Sequence, residues 1–184
     1  MKLVILDRDG VINEDSDAYI KSPEEWLPID GSIDAIARLS KAGFSVAIAT
    51  NQSGLGRKLF SLQQLEAMHK KMQQLVASAG GEIAGVFYCP HLPDAGCPCR
   101  KPKPGLIDAI ENDLGISASK AFFVGDSLKD LQAGLAKQCI PILVKTGKGE
   151  KTLSKIIQER DVSFNNLAVF KNLAAAATYI IDQH

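Results

Sequence analysis

No apolar stretch in this chain approaches the ~20 residues that a membrane-spanning helix needs. No excess of charge exists either: 21 Lys and Arg stand against 21 Asp and Glu, and only 6% of residues are aromatic. A nucleic-acid binder usually carries a basic excess or stripe, often with aromatics for stacking, so that class is disfavoured. Cysteine is scarce, four in 184 residues, and three of the four fall within YCPHLPDAGCPCRKP, residues 88–102. The opening Met-Lys-Leu-Val-Ile-Leu meets Asp-Arg-Asp at once, too short and too soon charged for a signal peptide, so a cytoplasmic enzyme is expected. In that compartment clustered cysteines suggest metal or catalysis more than disulfides. What remains, 46% hydrophobic and 23% charged residues, is the composition of a soluble globular protein of one domain, 1–184.

Short apolar runs alternate with amphipathic stretches. The runs are LVIL (3–6), FSVAIA (44–49), GVFY (85–88), AFFV (121–124) and PILV (141–144), with VSF (162–164) as a weaker sixth. Helical patterns cover roughly 31–42, 61–79, 104–114, 127–137, 150–160 and 171–182. Near-continuous apolar strands alternating with helices predict an α/β fold, a doubly wound, mostly parallel sheet with helices on both faces. In such sheets functional groups collect at the carboxyl ends of the strands. The residues following the runs are Asp7-Arg8-Asp9-Gly10, Thr50-Asn51-Gln52-Ser53-Gly54, a Cys/His loop ending in Arg100-Lys101, and Gly125-Asp126-Ser127 with Asp130 one turn on.

Asp7 and Asp9 flank one residue at a strand end, and two carboxylates that close repel unless a cation or proton intervenes. With Asp126 they form a hard oxygen set of the kind Mg²⁺ prefers. Asp7 could then attack phosphorus as a nucleophile. Asp9 is placed to protonate the leaving oxygen and later to deprotonate water. Thr50 can hydrogen-bond the transferring phosphoryl group and Lys101 can offset its charge. Single acids after strands are commonly turns or caps; the joint pattern favours chemistry.

Cys89, His91, Cys97 and Cys99, spaced C-x-H-x5-C-x-C, suit tetrahedral Zn²⁺, with prolines 90 and 98 stiffening the loop. Four protein ligands leave no open position, so the zinc is expected to be structural. A Cys97–Cys99 disulfide would close a small strained ring. Reduced, unmetallated thiols are the alternative.

DRDGVIN, ATNQSG, CRKPKPG and GDSLKD resemble the four motifs of the haloacid dehalogenase superfamily of phosphotransferases over nearly the whole chain. The resemblance implies an aspartyl-phosphate route with Asp7 as nucleophile and Asp9 as acid/base. It places Thr50 and Lys101 on the phosphoryl group and Mg²⁺ at Asp7, Asp9 and Asp126, with Asp130 in support. Lys103 is a rival for the lysine role. The spacings from Asp9 to Thr50 and from Thr50 to Lys101 leave no room for a separate cap domain. The zinc loop is similar to those of two capless subfamilies, one acting on a heptose bisphosphate and one on histidinol phosphate. The first is the closer, and it implies sugar contacts at Asp15, Ser16, Asp17, Tyr19, Asn51, Gln52, Ser53 and Arg100. The segment GLGRKLF (54–60) departs from the family pattern, because Lys58 adds a charge at the entrance.

A signalling receiver domain also uses Asp, Thr, Lys and Mg²⁺. As a family, however, receivers place the accepting Asp after a later strand and have no zinc loop. Cys139 is expected in the core, His69 on the surface among Lys and Gln, and Met68, Met72 and Leu75 as a core stripe. Trp26 either packs the flap or stacks on a sugar, and the terminal His184 is uninformative. A monomer acting on a small sugar bisphosphate, with no nucleic-acid or membrane partner, is the expectation.

Overall fold

A computed structural model describes residues 2–183; His184 lies outside the described residues. Six strands among them form one parallel sheet: β1 (Lys2–Leu6), β2 (Phe44–Asn51), β3 (Gly85–Cys89), β4 (Phe122–Gly125), β5 (Ile140–Val144) and β6 (Ala168–Phe170). Their order is β3-β2-β1-β4-β5-β6. The connecting helices are α1 (Ser32–Lys41), α2 (Ser53–Gly56), α3 (Leu62–Ser78), α4 (Gly105–Leu114), α5 (Leu128–Ala136), α6 (Gly149–Glu159) and α7 (Leu173–Asp182). None of the described helices is long and apolar enough to cross a membrane.

The period-2 geometry of strands divides the core in two. Val4 and Leu6 of β1, with Val46 and Ile48 of β2, meet α1, α3 and α7 on one face. Leu3 and Ile5, with Ala47 and Ala49, meet α4 and Phe123 on the other. Because both faces are covered, the middles of the central strands are almost wholly apolar, with polar residues such as Lys2, Thr50 and Asn51 at the strand ends, which is why the runs read as near-continuous. Each fully buried Leu or Ile here contributes about 1.5–3 kcal/mol by leaving water. Trp26 is buried within the first face, so it packs. Met68 and Met72 are buried on α3, and Cys139 is buried against α4 and β4.

The sixth strand differs from expectation. VSF forms a single 3-10 turn, begun by Asp161, whose carboxylate accepts from the Ser163 N–H. Val162 stays 76% exposed, so its β-branched side chain has no sheet to pack on. The edge strand is Ala168–Phe170 instead, paired with β5 through Ile142↔Ala168. Three residues with Asn and Leu before them give too little period-2 signal to be seen in the sequence. The short α2 was also not anticipated.

Candidate active site

The strand order reverses direction between β1 and β4, where a crevice opens at the carboxyl edge of a doubly wound sheet. Asp7 directly follows β1, and its N–H donates to the Val124 carbonyl at 3.0 Å, carrying the β4 pairing one residue on. Asp126 follows β4. The two acids therefore come from the two strands that flank the switch point. Gly10 and Gly147, both in left-handed backbone (φ 82° and 57°), line the approach to Asp126; a Cβ on either would collide with its carboxylate.

Carboxylate oxygens of Asp7, Asp126 and Asp130 lie within 4.8 Å of one another. Lys101 Nζ sits among them, 2.8 Å from Asp7 Oδ1 and 2.6 Å from Asp130 Oδ1, and also donates to the Ala49 carbonyl at 2.7 Å. Asp130 belongs to α5: its Oδ2 accepts from the Ser127 N–H at 3.0 Å and the Ser127 hydroxyl at 2.7 Å, which caps the helix. One residue thus both starts the helix and seats the lysine. Burial, then the Asp130 charge, push Asp7 up to about 7, against the pull of Lys101. Burial, Asp130 and Asp7 push Asp126 up to about 8. Burial alone would lower Lys101, but the Asp130 and Asp7 charges outweigh it and raise its pKa. Three buried carboxylates against one ammonium leave an unmet negative charge in an oxygen-only donor set. A hard divalent cation fits that requirement.

The Asp9 carboxylate lies outside this cluster. Its Oδ1 accepts from Arg8 Nη2 at 2.9 Å and Asn13 Nδ2 at 2.8 Å, its Oδ2 from Gln52 Nε2 at 2.8 Å. Burial works to raise its pKa, but Arg8 and these donors prevail and hold it below the ordinary carboxylate value. Asp9 still lines the crevice, as do Thr50, Asp15, Ser16, Asp17, Tyr19, Ser53 and Arg100. The sequence grouped Asp9 with Asp7 and Asp126; the fold groups Asp130 with them.

Asn51 and Gln52 line the crevice but their amides are already engaged. Asn51 clasps the Lys101 backbone from both sides, accepting its N–H at 3.0 Å and donating to its carbonyl at 3.1 Å. Gln52 donates to Thr50 Oγ1 at 2.9 Å as well as to Asp9. Lys103, the rival lysine, is exposed and donates to the Gly96 carbonyl in the Cys/His loop. The flap acid Asp15 faces Lys148 at 3.6 Å. Tyr19, in left-handed backbone (φ 68°), sits against Gly54, where a Cβ would strike Phe60 and Tyr19. Arg100 Nη1 is buried with no acceptor among the described residues, a donor left for a ligand. Lys129, Lys148, Lys151 and Lys155 complete the basic side of the crevice.

Cys89, His91, Cys97 and Cys99 converge, with all ligand atoms within 4.8 Å. Cys89 Sγ is 3.6 Å from Cys97 Sγ and 3.5 Å from His91 Nδ1, which is 3.3 Å from Cys99 Sγ. Tetrahedral zinc requires edges of about 3.6–3.8 Å, so the donor set fits that ion. The thiols are free, with no disulfide among them. The loop is tied to the start of α4, where the Gly105 N–H donates to Pro98 O and a Cβ at Gly105 would strike the Pro98 backbone.

Two residues of the site escaped sequence reasoning. Arg8 is completely buried and forks onto Asp9. His69, expected on the surface, is 8% exposed and its Nε2 lies 3.2 Å from Arg8 Nη1. A signal for His69 existed: the buried face of α3 is Leu65, Met68, His69, Met72 and Val76, and His69 occupies an i+4 position in that stripe. The flanking Lys70 and Lys71 masked it.

Residues 2–136 match the model of the haloacid dehalogenase-like hydrolase family, and a related hydrolase model matches 98–176. A Pseudomonas putida D-glycero-beta-D-manno-heptose-1,7-bisphosphate 7-phosphatase is 60% identical over 168 residues, 91% of this chain and 96% of that protein. The Neisseria meningitidis protein of the same name is 52% identical across 100% of this chain and 97% of its own. The crystal structure of the D,D-heptose 1,7-bisphosphate phosphatase from B. bronchiseptica, complexed with magnesium and phosphate, superposes with a TM-score of 0.93 at 47% identity, covering 100% of both chains. With strand order, carboxylate crevice and sequence in agreement, the chain belongs to the haloacid dehalogenase-like hydrolase family.

Proposed function

We propose that this protein is a phosphatase that removes the 7-phosphate of D-glycero-β-D-manno-heptose 1,7-bisphosphate, in the bacterial synthesis of activated heptose for lipopolysaccharide. The observation that carries the reading is the crevice itself. Three buried carboxylates face Lys101 at one end, and an unpaired Arg100 donor with four lysines stands beside it. The first end suits a phosphoryl group under attack; the second supplies counter-charge for a second phosphate on the same sugar. Relatives at 52–60% identity bear the heptose name. Histidinol phosphate, the alternative, needs an acidic flap for its amine, and Asp15 is already opposite Lys148.

Asp7 and Asp126 would hold Mg²⁺, with Asp130 closing the group. The ion would neutralise phosphoryl oxygens and allow an anionic nucleophile to approach an anionic ester. The Asp7 carboxylate attacks phosphorus and the bond to the sugar oxygen breaks, leaving an aspartyl-phosphate. Asp9 delivers a proton to the departing alkoxide. A phosphate dianion beside Asp9 opposes the Arg8 charge and raises its affinity for that proton. Asp9 then takes a proton from water as it attacks the aspartyl-phosphate, and Asp7 is restored. Thr50 and Lys101 hold the phosphoryl oxygens throughout. The zinc loop would bind Zn²⁺ structurally and keep Arg100 and Lys101 in place. We infer a monomer working in the cytoplasm on a small soluble substrate.

The test is phosphate release with Mg²⁺ from heptose 1,7-bisphosphate, fructose 1,6-bisphosphate and histidinol phosphate, alongside Asp7→Asn. Heptose bisphosphate is expected to lead by orders of magnitude, and Asp7→Asn to lower kcat by at least about 10³-fold, as removal of a nucleophile does. A lead for histidinol phosphate would overturn the substrate assignment. Full activity in Asp7→Asn would overturn the mechanism.

A further inference from the structure

Arg8 and His69 lie behind the crevice, and neither touches the place where a phosphate would sit. Arg8 is the middle residue of Asp-Arg-Asp and is wholly enclosed. Its Nε and Nη2 reach Asp9 Oδ1 at 3.2 and 2.9 Å, and Nη2 reaches Oδ2 at 3.1 Å. This fork leaves Nη1, which points to His69 Nε2 at 3.2 Å. A guanidinium has five donors, no acceptor and no accessible neutral form. Arg8 must therefore donate in that contact, and His69 must accept. The imidazole is then neutral, with its lone pair on Nε2 and its proton on Nδ1. Burial first and the Arg8 charge second lower the His69 pKa to about 3, in keeping with a ring that stays neutral. The Tyr88 ring, 5.9 Å away at 51°, and the buried neighbours Met68 and Met72 hold it in the α3 stripe.

We propose that His69 is a positioning residue for the Asp9 carboxylate. As a fixed neutral acceptor it aims the Arg8 guanidinium, and Arg8 fixes the direction in which Asp9 is presented to the crevice. Without His69 the Nη1 donor is buried with nothing to receive it, a state that drives the guanidinium to rotate toward another acceptor. The fork turns with it. Asn13 and Gln52 still hold one donor each on Asp9, so the carboxylate shifts rather than leaves. Proton transfer to the leaving oxygen is sensitive to such a shift, while binding of the sugar and phosphates is not. This inference rests on Asp9 as the acid/base of the reaction proposed above.

The test compares wild type, His69→Leu and His69→Gln in steady-state turnover of heptose 1,7-bisphosphate, with ¹⁵N-histidine NMR of the unliganded protein. His69→Leu is expected to lower kcat about tenfold or more with KM within about twofold; His69→Gln, whose Oε1 can accept from Arg8, should recover kcat to within about threefold of wild type. The His69 resonance, identified by its absence in His69→Gln, should show an unprotonated Nε2 from pH 5 to pH 9. Wild-type kcat in His69→Leu, a Gln variant as impaired as Leu, or KM rising in step with the loss of kcat would each overturn the proposal. So would a protonated Nε2. Should wild type prove silent on the bisphosphate, the substrate reading fails, and the NMR result still decides whether His69 is the acceptor. The NMR arm also decides it if His69→Leu does not fold.

Discussion

Gly10 does no chemistry, yet the Asp126 carboxylate reaches the crevice only because Gly10 has no side chain. Its φ of 82° is a conformation that L side chains rarely adopt, and a Cβ there would collide with Asp126. Gly10→Ala is therefore strained in two ways. The left-handed backbone costs about 1–2 kcal/mol, and the carboxylate must move. Thermal melting should report the first, and the Mg²⁺ concentration that half-saturates activity should rise by about tenfold or more from the second, given one displaced ligand. An unchanged Mg²⁺ requirement would mean that Asp126 is not a ligand. Glycine in DRDG was visible in the sequence, as were Asp7, Asp9 and Asp126, because acids directly after apolar runs mark strand ends. The Arg8–His69 contact was not, because residues 61 positions apart meet only through tertiary packing. Nor could spacing show that Asp130 would replace Asp9 in the carboxylate cluster. Both acids are close in sequence to a strand end; their side-chain directions depend on Arg8 in one case and the Ser127 cap in the other.

At the scale of elements, the loop from Cys89 to Cys99 acts as an extension of β3 that feeds directly into Arg100 and Lys101. Asn51, at the end of β2, grips the Lys101 backbone, so the lysine is fixed from the neighbouring strand and from the loop together. Four candidate metal ligands in eleven residues were legible because a tetrahedral metal site constrains the spacing of its ligands directly. The sixth strand was not, because its three residues carry almost no pattern of their own and pair only where β5 offers an edge. Cys97→Ser tests the loop. Metal analysis should find one zinc per wild-type chain and a large loss in the variant, since a structural site with three ligands holds zinc poorly. Phosphate release should fall at least about tenfold, because Lys101 loses its fixed approach. Retained activity in a zinc-free variant would show that Asn51, Asp7, Asp130 and the Ala49 carbonyl position the lysine without the loop's metal.

At the scale of the whole molecule, the sheet order puts β1 and β4 side by side, and their two acids meet because the chain winds outward from that point in both directions. The alternation of runs and helices made a doubly wound sheet legible; the strand order came only with the structure. The meeting has an energetic consequence for the fold. Burial first and the Asp130 charge second push Asp7 up to about 7 and Asp126 up to about 8 in the folded protein, from an ordinary 3.8, with Asp7 adding to the repulsion on Asp126. Below pH ~4 both are protonated in either state and impose no penalty. As pH rises toward ~8 the unfolded chain gives up protons that the folded chain retains, so unfolding releases protons and the folded state loses stability. Above that range both acids are ionised in the fold and the penalty is complete. Mg²⁺ held by the ionised pair, as proposed above, would offset the penalty where the penalty is largest. The measurement is the thermal midpoint from pH 5 to pH 8.5, with zinc retained, with and without Mg²⁺, for wild type and Asp126→Asn. Wild type should gain more from Mg²⁺ at pH 8.5 than at pH 5. Asp126→Asn, lacking one of the two acids, should show a shallower fall with pH and a smaller gain from the ion. Parallel curves for the two proteins would mean that the cluster carries no such charge penalty, and that its ions are already paired within the polypeptide.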